Sequence, residues 1–322
     1  MIAPLARFID WSSLQVAYLF LSRNTDDPRL GEAIQFLNSS DFIPAESQPA
    51  KVEFDNLLDF RFSTPRPCDF AENNFAVGRF YRSTEQWPKH PTIILLHGGN
   101  VMGGGKASLS HRRFRSIARL CNRSGLNAAT LIAPYHCQRL PRQTDALSGL
   151  DYVRVVEMMA QGVAEIRALT GWLLEQGCPA VALWGVSLGG WRVGLTICRD
   201  SRLTAAVLTM PGVCMNHLTL QTKRVIWRRL QSALQARRVA YAAFDETPVN
   251  LISSTPSIRR ENILLIEGVN DLIADKEPIE QLWQAWGQPE IWRLPFGHRS
   301  IFCLPSLTDR IIGWLAPRLQ RD

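Results

Sequence analysis

Residues 181–190 read Val-Ala-Leu-Trp-Gly-Val-Ser-Leu-Gly-Gly and contain the pattern Gly-x-Ser-x-Gly, with the serine at position 187. The apolar run before Ser187 predicts a buried strand, and the helical periodicity from Leu188 to Arg199 predicts a helix directly after it. A turn that holds Ser187 in strained backbone needs glycine on either side, because strand and helix approach closely there. This placement favours a serine nucleophile over a glycine-rich helix start or an anion-binding turn.

Short apolar runs alternate with amphipathic helical stretches from about Phe75 onward. The apolar runs cover residues 75–81, 92–96, 127–133, 180–186, 204–210, 262–267 and 290–294. The helical patterns cover residues 163–175, 188–199, 278–286 and 307–319. This alternation predicts an α/β fold with a mostly parallel, doubly wound sheet flanked by helices.

Three further segments follow predicted strands, so they should reach the same edge of the sheet as Ser187. Residues 97–99, His-Gly-Gly, follow the strand at 92–96 and offer backbone N–H groups to an oxyanion. His97 itself is interpreted as a structural histidine. Asp271 comes after the strand at 262–267, and His298 comes after the last strand.

These motifs resemble those of the α/β-hydrolase fold superfamily, and the resemblance runs from about Phe75 to the C-terminus. Its nucleophile turn matches residues 185–189, its oxyanion segment matches 97–99, and its order Ser, Asp, His is found here. The resemblance implies a catalytic triad of Ser187, Asp271 and His298. It also implies an oxyanion hole formed by the backbone N–H groups of Gly98, Gly99 and Leu188, and chemistry that needs no cofactor.

A closer resemblance is to the alpha/beta-hydrolase-domain-containing proteins of type eighteen, through the N-terminal helical segment and residues 133–141, Ala-Pro-Tyr-His-Cys-Gln-Arg-Leu-Pro. Ala274 is a departure, because many superfamily members carry proline at that point after the acid. Glu267 and Asp275 compete with Asp271 for the role of the acid. Glu267 lies inside the end of the strand and Asp275 lies further out, so Asp271 is preferred.

The loop after the strand at 127–133 also reaches the catalytic edge. Tyr135 and Arg139 in this loop are predicted to bind substrate, with Arg139 pairing with a carboxylate or phosphate. The alternative is a rigid, proline-bounded loop whose arginines face solvent.

Two segments lie outside the regular alternation, which divides the chain into residues 1–50, an N-terminal helical extension, and residues 51–322, the α/β-hydrolase domain. Residues 213–258 are predicted to be an inserted helical lid, because they are too long for an ordinary connection. Trp227 and Leu230 fall on the apolar side of a helix in this insertion and are predicted to line a substrate pocket. Its basic side carries Arg224, Arg228 and Arg238. An anionic membrane surface is the alternative contact for this helix.

Composition limits the class of protein and its partners. Hydrophobic residues make up 46% of the chain and charged residues 20%, which excludes disordered and coiled-coil proteins. The net charge of +7 is concentrated in the insertion, and no nucleic-acid-binding motif accompanies it. The 7 cysteines show no metal-ligand spacing, so we expect a reducing, cytoplasmic compartment and no structural metal. We find no signal peptide and no apolar stretch long enough to span a membrane.

The sequence therefore predicts a serine hydrolase that acts on a small-molecule or lipid ester or thioester with a hydrophobic acyl group. A catalytically silent binding module with the same fold is the alternative from another class. Peptidase or amidase activity is a further alternative, because the same triad serves both ester and amide hydrolysis.

Overall fold

Short strands alternate with longer helices in the computed structural model, which describes residues 2–21, 29–99, 109–141, 152–214, 242–274, 276–301, 304 and 306–320. The strands in these ranges are β1 (Glu53–Phe54), β2 (Asp59–Ser63), β3 (Phe75–Tyr81), β4 (Thr92–Leu96), β5 (Asn127–Leu131), β6 (Val181–Val186), β7 (Ala205–Thr209), β8 (Ile263–Gly268) and β9 (Glu290–Leu294). The α-helices are α1 (Ile2–Leu21), α2 (Leu30–Leu37), α3 (Leu109–Arg123), α4 (Tyr152–Glu175), α5 (Leu188–Ile197), α6 (Lys276–Ala285) and α7 (Leu307–Leu319).

The described strands form one sheet in the order β1-β2-β3-β5-β4-β6-β7-β8-β9. Every neighbouring pair from β5 to β9 is parallel. The pairs β1–β2, β2–β3 and β3–β5 are antiparallel. The predicted mostly parallel sheet is confirmed. The strand at 75–81 has the predicted bounds but runs antiparallel to its neighbours.

The helices cover both faces of this sheet. The connection from β4 through α3 to β5 moves toward the β1 edge of the sheet. The connection from β6 through α5 to β7 moves toward the β9 edge. Because such crossovers are right-handed, α3 and α5 lie on opposite faces. α7 contacts α3, and α4 contacts α5, so each face carries a pair of packed helices. This is the doubly wound arrangement that the alternating pattern predicted.

The centre of the core consists of β4 to β8, in which every side chain is buried. Most residues of a strand that helices cover on both faces are apolar, which is why these runs show no regular polar alternation. Trp184 is fully buried in β6, and its indole N–H donates to Oγ1 of Thr209 at 3.1 Å. β9, with a sheet neighbour on one side only, is more exposed.

The register of the parallel strands aligns their carboxyl ends. Leu96 pairs with Gly185, Thr209 pairs with both Val186 and Ile266, and Gly268 pairs with Leu294. The segments that follow β4, β6, β8 and β9 therefore leave the sheet at one edge, where open α/β sheets bind their ligands.

Two of the helices, α4 and α3, differ from the predictions. α4 begins at Tyr152 rather than at residue 163. Its first turns belong to the helix because Val153, Val156 and Met159 recur at helical spacing and are buried. α3 was not predicted, since the basic residues of 109–123 conceal its apolar face.

Cys68, Cys121, Cys137, Cys178 and Cys198 are free thiols. Within the described ranges, no helix has the length and apolarity that crossing a bilayer requires.

Candidate active site

Ser187 occupies the sharp turn between β6 and α5 in a strained backbone conformation, with φ 55° and ψ −118°. The turn is enforced by close packing, because a Cβ on Gly185 would overlap the carbonyl of Gly189, and a Cβ on Gly189 would overlap that of Leu96. The backbone N–H of Ser187 donates to the carbonyl of Thr209 at 2.9 Å. Ser187 is partly exposed at the end of a fully buried strand, as a nucleophile must be.

Asp271 and His298 contact each other at the same edge of the sheet. Nδ1 of His298 lies 2.7 Å from Oδ2 of Asp271. The other carboxylate oxygen accepts hydrogen bonds from the backbone N–H groups of Ile273 and Ala274, at 2.7 and 2.8 Å. Burial opposes protonation of His298, but the charge and hydrogen bond of Asp271 outweigh it and raise the pKa of His298. This pair can orient an imidazole and stabilise its cation.

Glu267, one of the two competing acids, does not occupy that position. Glu267 is buried beside Arg293, with 3.2 Å between its Oε2 and the arginine Nε. Burial raises the pKa of Glu267, and the charge of Arg293 opposes this shift. Asp275 lies outside the described residues.

The His-Gly-Gly segment after β4 lies against the nucleophile turn. A Cβ on Gly98 would lie 3.3 Å from Cβ of Ser187, and a Cβ on Gly99 would lie 3.7 Å from the Leu188 side chain. His97 is buried, and its Nε2 accepts a hydrogen bond from the backbone N–H of Ala133 at 3.0 Å. Its Nδ1 lies 2.8 Å from the carbonyl of Gly98, which assigns the proton to Nδ1. The imidazole thereby fixes the loop backbone beside Ser187.

Residues 71–243, more than half of the chain, match the family described as Alpha/beta hydrolase domain containing 18. The chain belongs to this family. The matched range includes the segments around Gly98 and Ser187 and ends before Asp271 and His298, so their contact rests on the structure.

Among curated proteins, this member of the Alpha/beta hydrolase domain containing 18 family is 28% identical over 274 residues to the uncharacterized protein Rv2627c of Mycobacterium tuberculosis, covering 80% of this chain. The chain spans 62% of that relative's length.

Solved structures share the fold of this family member at low sequence identity. The esterase Pf2001 of Pyrococcus furiosus superposes with a TM-score of 0.56 at 15% identity, over 84% of this chain and 94% of its own. Acetyl xylan esterase 1 of Thermoanaerobacterium sp. superposes with a TM-score of 0.60 at 12% identity, over 96% of this chain and 99% of its own. These likenesses confirm the α/β-hydrolase fold.

Arg139 does not face the catalytic edge. It is 1% exposed, and its Nη2 and Nη1 lie 2.6 and 2.7 Å from the two carboxylate oxygens of Glu165 in α4. The guanidinium also donates to the carbonyls of Ile132 and Asn73. These contacts are those of a structural ion pair, which occupies the guanidinium that was predicted to bind substrate.

Tyr135 is 7% exposed and has a positive φ of 58°. Its backbone N–H donates to Oδ1 of Asn73 at 2.7 Å, and its hydroxyl donates to Sγ of Cys68 at 3.6 Å. Burial raises the pKa of the phenol. Tyr135 thus helps to fix the loop after β5.

Trp227 and Leu230, the predicted pocket residues, lie outside the described residues. The described end of the predicted insertion, residues 242–258, packs against α5, the helix that follows Ser187. Val249 and Leu251 are buried there, and the indole N–H of Trp191 donates to the carbonyl of Val249 at 2.8 Å.

One residue at this edge of the sheet was not predicted from the sequence. Asp10 of α1 is fully buried and hydrogen-bonds to the backbone of His298. Its signal was an isolated carboxylate in a largely apolar helical stretch.

Proposed function

We propose that the chain is a serine hydrolase that cleaves a carboxylic ester or thioester through Ser187, His298 and Asp271. The contact between His298 and Asp271 carries this proposal, because it combines a buried carboxylate with an imidazole at the edge where Ser187 is exposed. Membership of a hydrolase family and the fold shared with two esterases support it.

In the proposed reaction, Nε2 of His298 accepts the hydroxyl proton of Ser187 as its oxygen attacks the substrate carbonyl. Asp271 holds the imidazole in the tautomer with hydrogen on Nδ1 and stabilises the imidazolium that forms. The backbone N–H groups of Leu188 and of Gly98 and Gly99 stabilise the oxyanion. His298 returns the proton to the leaving alcohol or thiol, and the acyl group stays on Ser187.

Water then completes the cycle. His298 removes a proton from a water molecule, which attacks the acyl-enzyme, and the collapse of the second oxyanion returns the proton to Ser187. Every proton transfer in this sequence uses the same imidazole, so no cofactor is needed.

The proposed substrate is an ester or thioester with a hydrophobic acyl group. The predicted lid, residues 213–258, would form one wall of its pocket through Trp227 and Leu230. The described end of that segment supports this placement, because it contacts α5 directly after the nucleophile turn. The substrate would be a small-molecule or lipid ester, with the basic side of the lid helix in solvent or on an anionic membrane.

Labelling with a fluorophosphonate probe tests the proposal, because the probe reacts only with an activated serine. We expect wild type and Ser201→Ala to be labelled and Ser187→Ala to be unlabelled. Ser201 is a suitable control because it is exposed and lies after α5, outside the triad. An unlabelled wild type would favour the silent binding module. Labelling of Ser187→Ala at wild-type level would refute the nucleophile.

A further inference from the structure

A carboxylate from α1 contacts both loops that carry the acid and the histidine. Oδ2 of Asp10 accepts hydrogen bonds from the backbone N–H of Leu272 at 3.2 Å and of His298 at 2.7 Å. Oδ1 accepts one from the backbone N–H of Arg299 at 3.0 Å. One buried side chain therefore joins the residue after Asp271 to the residue that bears the imidazole.

The loop before His298 is shaped to admit this carboxylate. A Cβ on Gly297 would lie 2.5 Å from Oδ2 of Asp10, 3.0 Å from its Cγ and 3.2 Å from the carbonyl of Ala6. Only glycine leaves room for α1 at this distance. The helix and the histidine loop thus fit each other at Gly297, which lies against the Asp10 carboxylate and the carbonyl of Ala6.

The same carboxylate acts on the charge of His298. Burial lowers the pKa of His298, while the charges of Asp271 and, to a smaller extent, Asp10 raise it, and Arg299 opposes them. Burial and, to a smaller extent, the charge of Asp271 raise the pKa of Asp10 above its ordinary value, although the backbone N–H groups of Arg299 and His298 oppose this shift. A carboxyl that accepts three N–H hydrogen bonds is suited to the ionised form, which has only acceptors.

A simple anchor for α1 would not require these particular donors. All three N–H groups bonded to Asp10 belong to the loops of the triad. An error of about 1 Å in the position of a catalytic group costs on the order of a hundredfold in rate, so a contact that fixes both loops has consequences for chemistry.

We propose that Asp10 is a positioning residue of the active site: it ties the Asp271 loop to the His298 loop and adds a second negative charge beside the imidazole. This inference rests on the proposed function. It makes α1 part of the catalytic apparatus, through the loops that carry Asp271 and His298.

Asp10→Asn tests the inference, since the amide keeps the size of the side chain but turns one acceptor into a donor that faces a backbone N–H. We expect kcat/KM for an aryl ester to fall on the order of a hundredfold. The acid limb of its pH profile should also move to lower pH, because His298 loses a neighbouring negative charge. Arg7→Gln is the matched control, because it removes a charge from an exposed position of the same helix and should change neither quantity.

Gly297→Ala provides a second variant from the opposite side of the contact, and it carries the test if Asp10→Asn does not fold by circular dichroism. The added methyl group displaces the Asp10 carboxylate, so we expect a similar loss. Combining Gly297→Ala with Asp10→Ala should cost less than the product of the single losses, because both remove one interaction.

A purely structural role of Asp10 would lower stability without moving the acid limb of the pH profile. The pH profile therefore separates a structural role from a positioning role. If both single variants keep wild-type kcat/KM and pH profile, the inference is wrong. Failure of the proposed function is seen separately, as a wild type that the fluorophosphonate does not label. In that case an NMR titration of His298 decides the inference, which requires a lower midpoint in Asp10→Asn than in wild type.

Discussion

Ala274 donates its backbone N–H to Oδ1 of Asp271 at 2.8 Å, so the carboxylate beside His298 is held through its second oxygen. Proline, which many superfamily members carry here, has no N–H to donate. The departure at this position therefore contributes to the site.

Ala274→Pro should weaken the hold on Asp271, because it removes one of the two backbone hydrogen bonds to Oδ1. A hydrogen bond to a charged group contributes about 1.5–3 kcal/mol, and we expect the free energy of unfolding in urea to fall by about that amount. Ala274→Gly keeps the N–H and is the control. Equal stability of the two variants would show that the hydrogen bond is dispensable.

The identity of the acid can be tested by comparing two isosteric substitutions. His298→Ala should lower kcat by several powers of ten, because the triad acts as a unit. Asp271→Asn should lower kcat somewhat less. Glu267→Gln should be nearly silent, because Glu267 pairs with Arg293. Steady-state kinetics with an aryl ester gives both values. A severe Glu267→Gln and a mild Asp271→Asn would reverse the assignment.

The pH dependence follows from the environment of His298. The general base must be neutral, and Asp271 raises the pKa of His298 above its ordinary value of 6.5. kcat/KM should therefore rise with pH and reach half its plateau above pH 6.5. In Asp271→Asn the residual activity should show this midpoint at lower pH, because the stabilising charge is gone. A midpoint that stays in place would mean that another group titrates.

The buried pair of Arg139 and Glu165 should contribute to stability and have no part in substrate binding. Arg139→Met leaves an unpaired carboxylate in the core and should cost about 3–5 kcal/mol in urea unfolding. The double variant Arg139→Met with Glu165→Met should recover part of that loss, because the carboxylate left without Arg139 is removed too, whereas the buried Arg192 loses the favourable charge of Glu165. KM should be unchanged in folded protein. A raised KM with unchanged stability would restore the substrate-binding role.

The proposed acyl pocket can be tested without knowing the natural substrate. Replacing Trp227 and Leu230 by alanine should raise KM for octanoyl esters more than for acetyl esters, because only the longer chain would reach that wall. Each buried CH₂ contributes about 0.8 kcal/mol, so the difference should grow with chain length. Equal effects on both esters would place the helix elsewhere.

The parts of the fold that could be predicted are those in which local sequence and burial agree. β4, β6, β7 and β8 were found because both faces of each strand are buried and their sequences are uninterrupted apolar runs. β1 and β2 were not predicted. β1 has two residues, and β2 lies in the antiparallel end of the sheet with alternating exposed side chains, so neither shows a long apolar run.

The parts of the site that could not be predicted depend on distant partners. Arg139 has the sequence context of a solvent-facing loop residue, and nothing near it in the chain reveals that Glu165 of α4 buries it. Asp10 is a similar case, since its hydrogen-bond partners come from the other end of the chain. Ser187 was identified because its turn needs glycines within two residues, which makes its signal local.

The contact of Asp10 also sets an order of events during synthesis. Its partners follow it by 262, 288 and 289 residues, so a chain emerging from the ribosome contains the carboxylate long before it contains any of these three donors. Until residue 299 has emerged, Asp10 cannot make all three of these hydrogen bonds. The nascent protein therefore cannot assemble its acid and histidine loops as they stand in the folded molecule, however early the central strands fold.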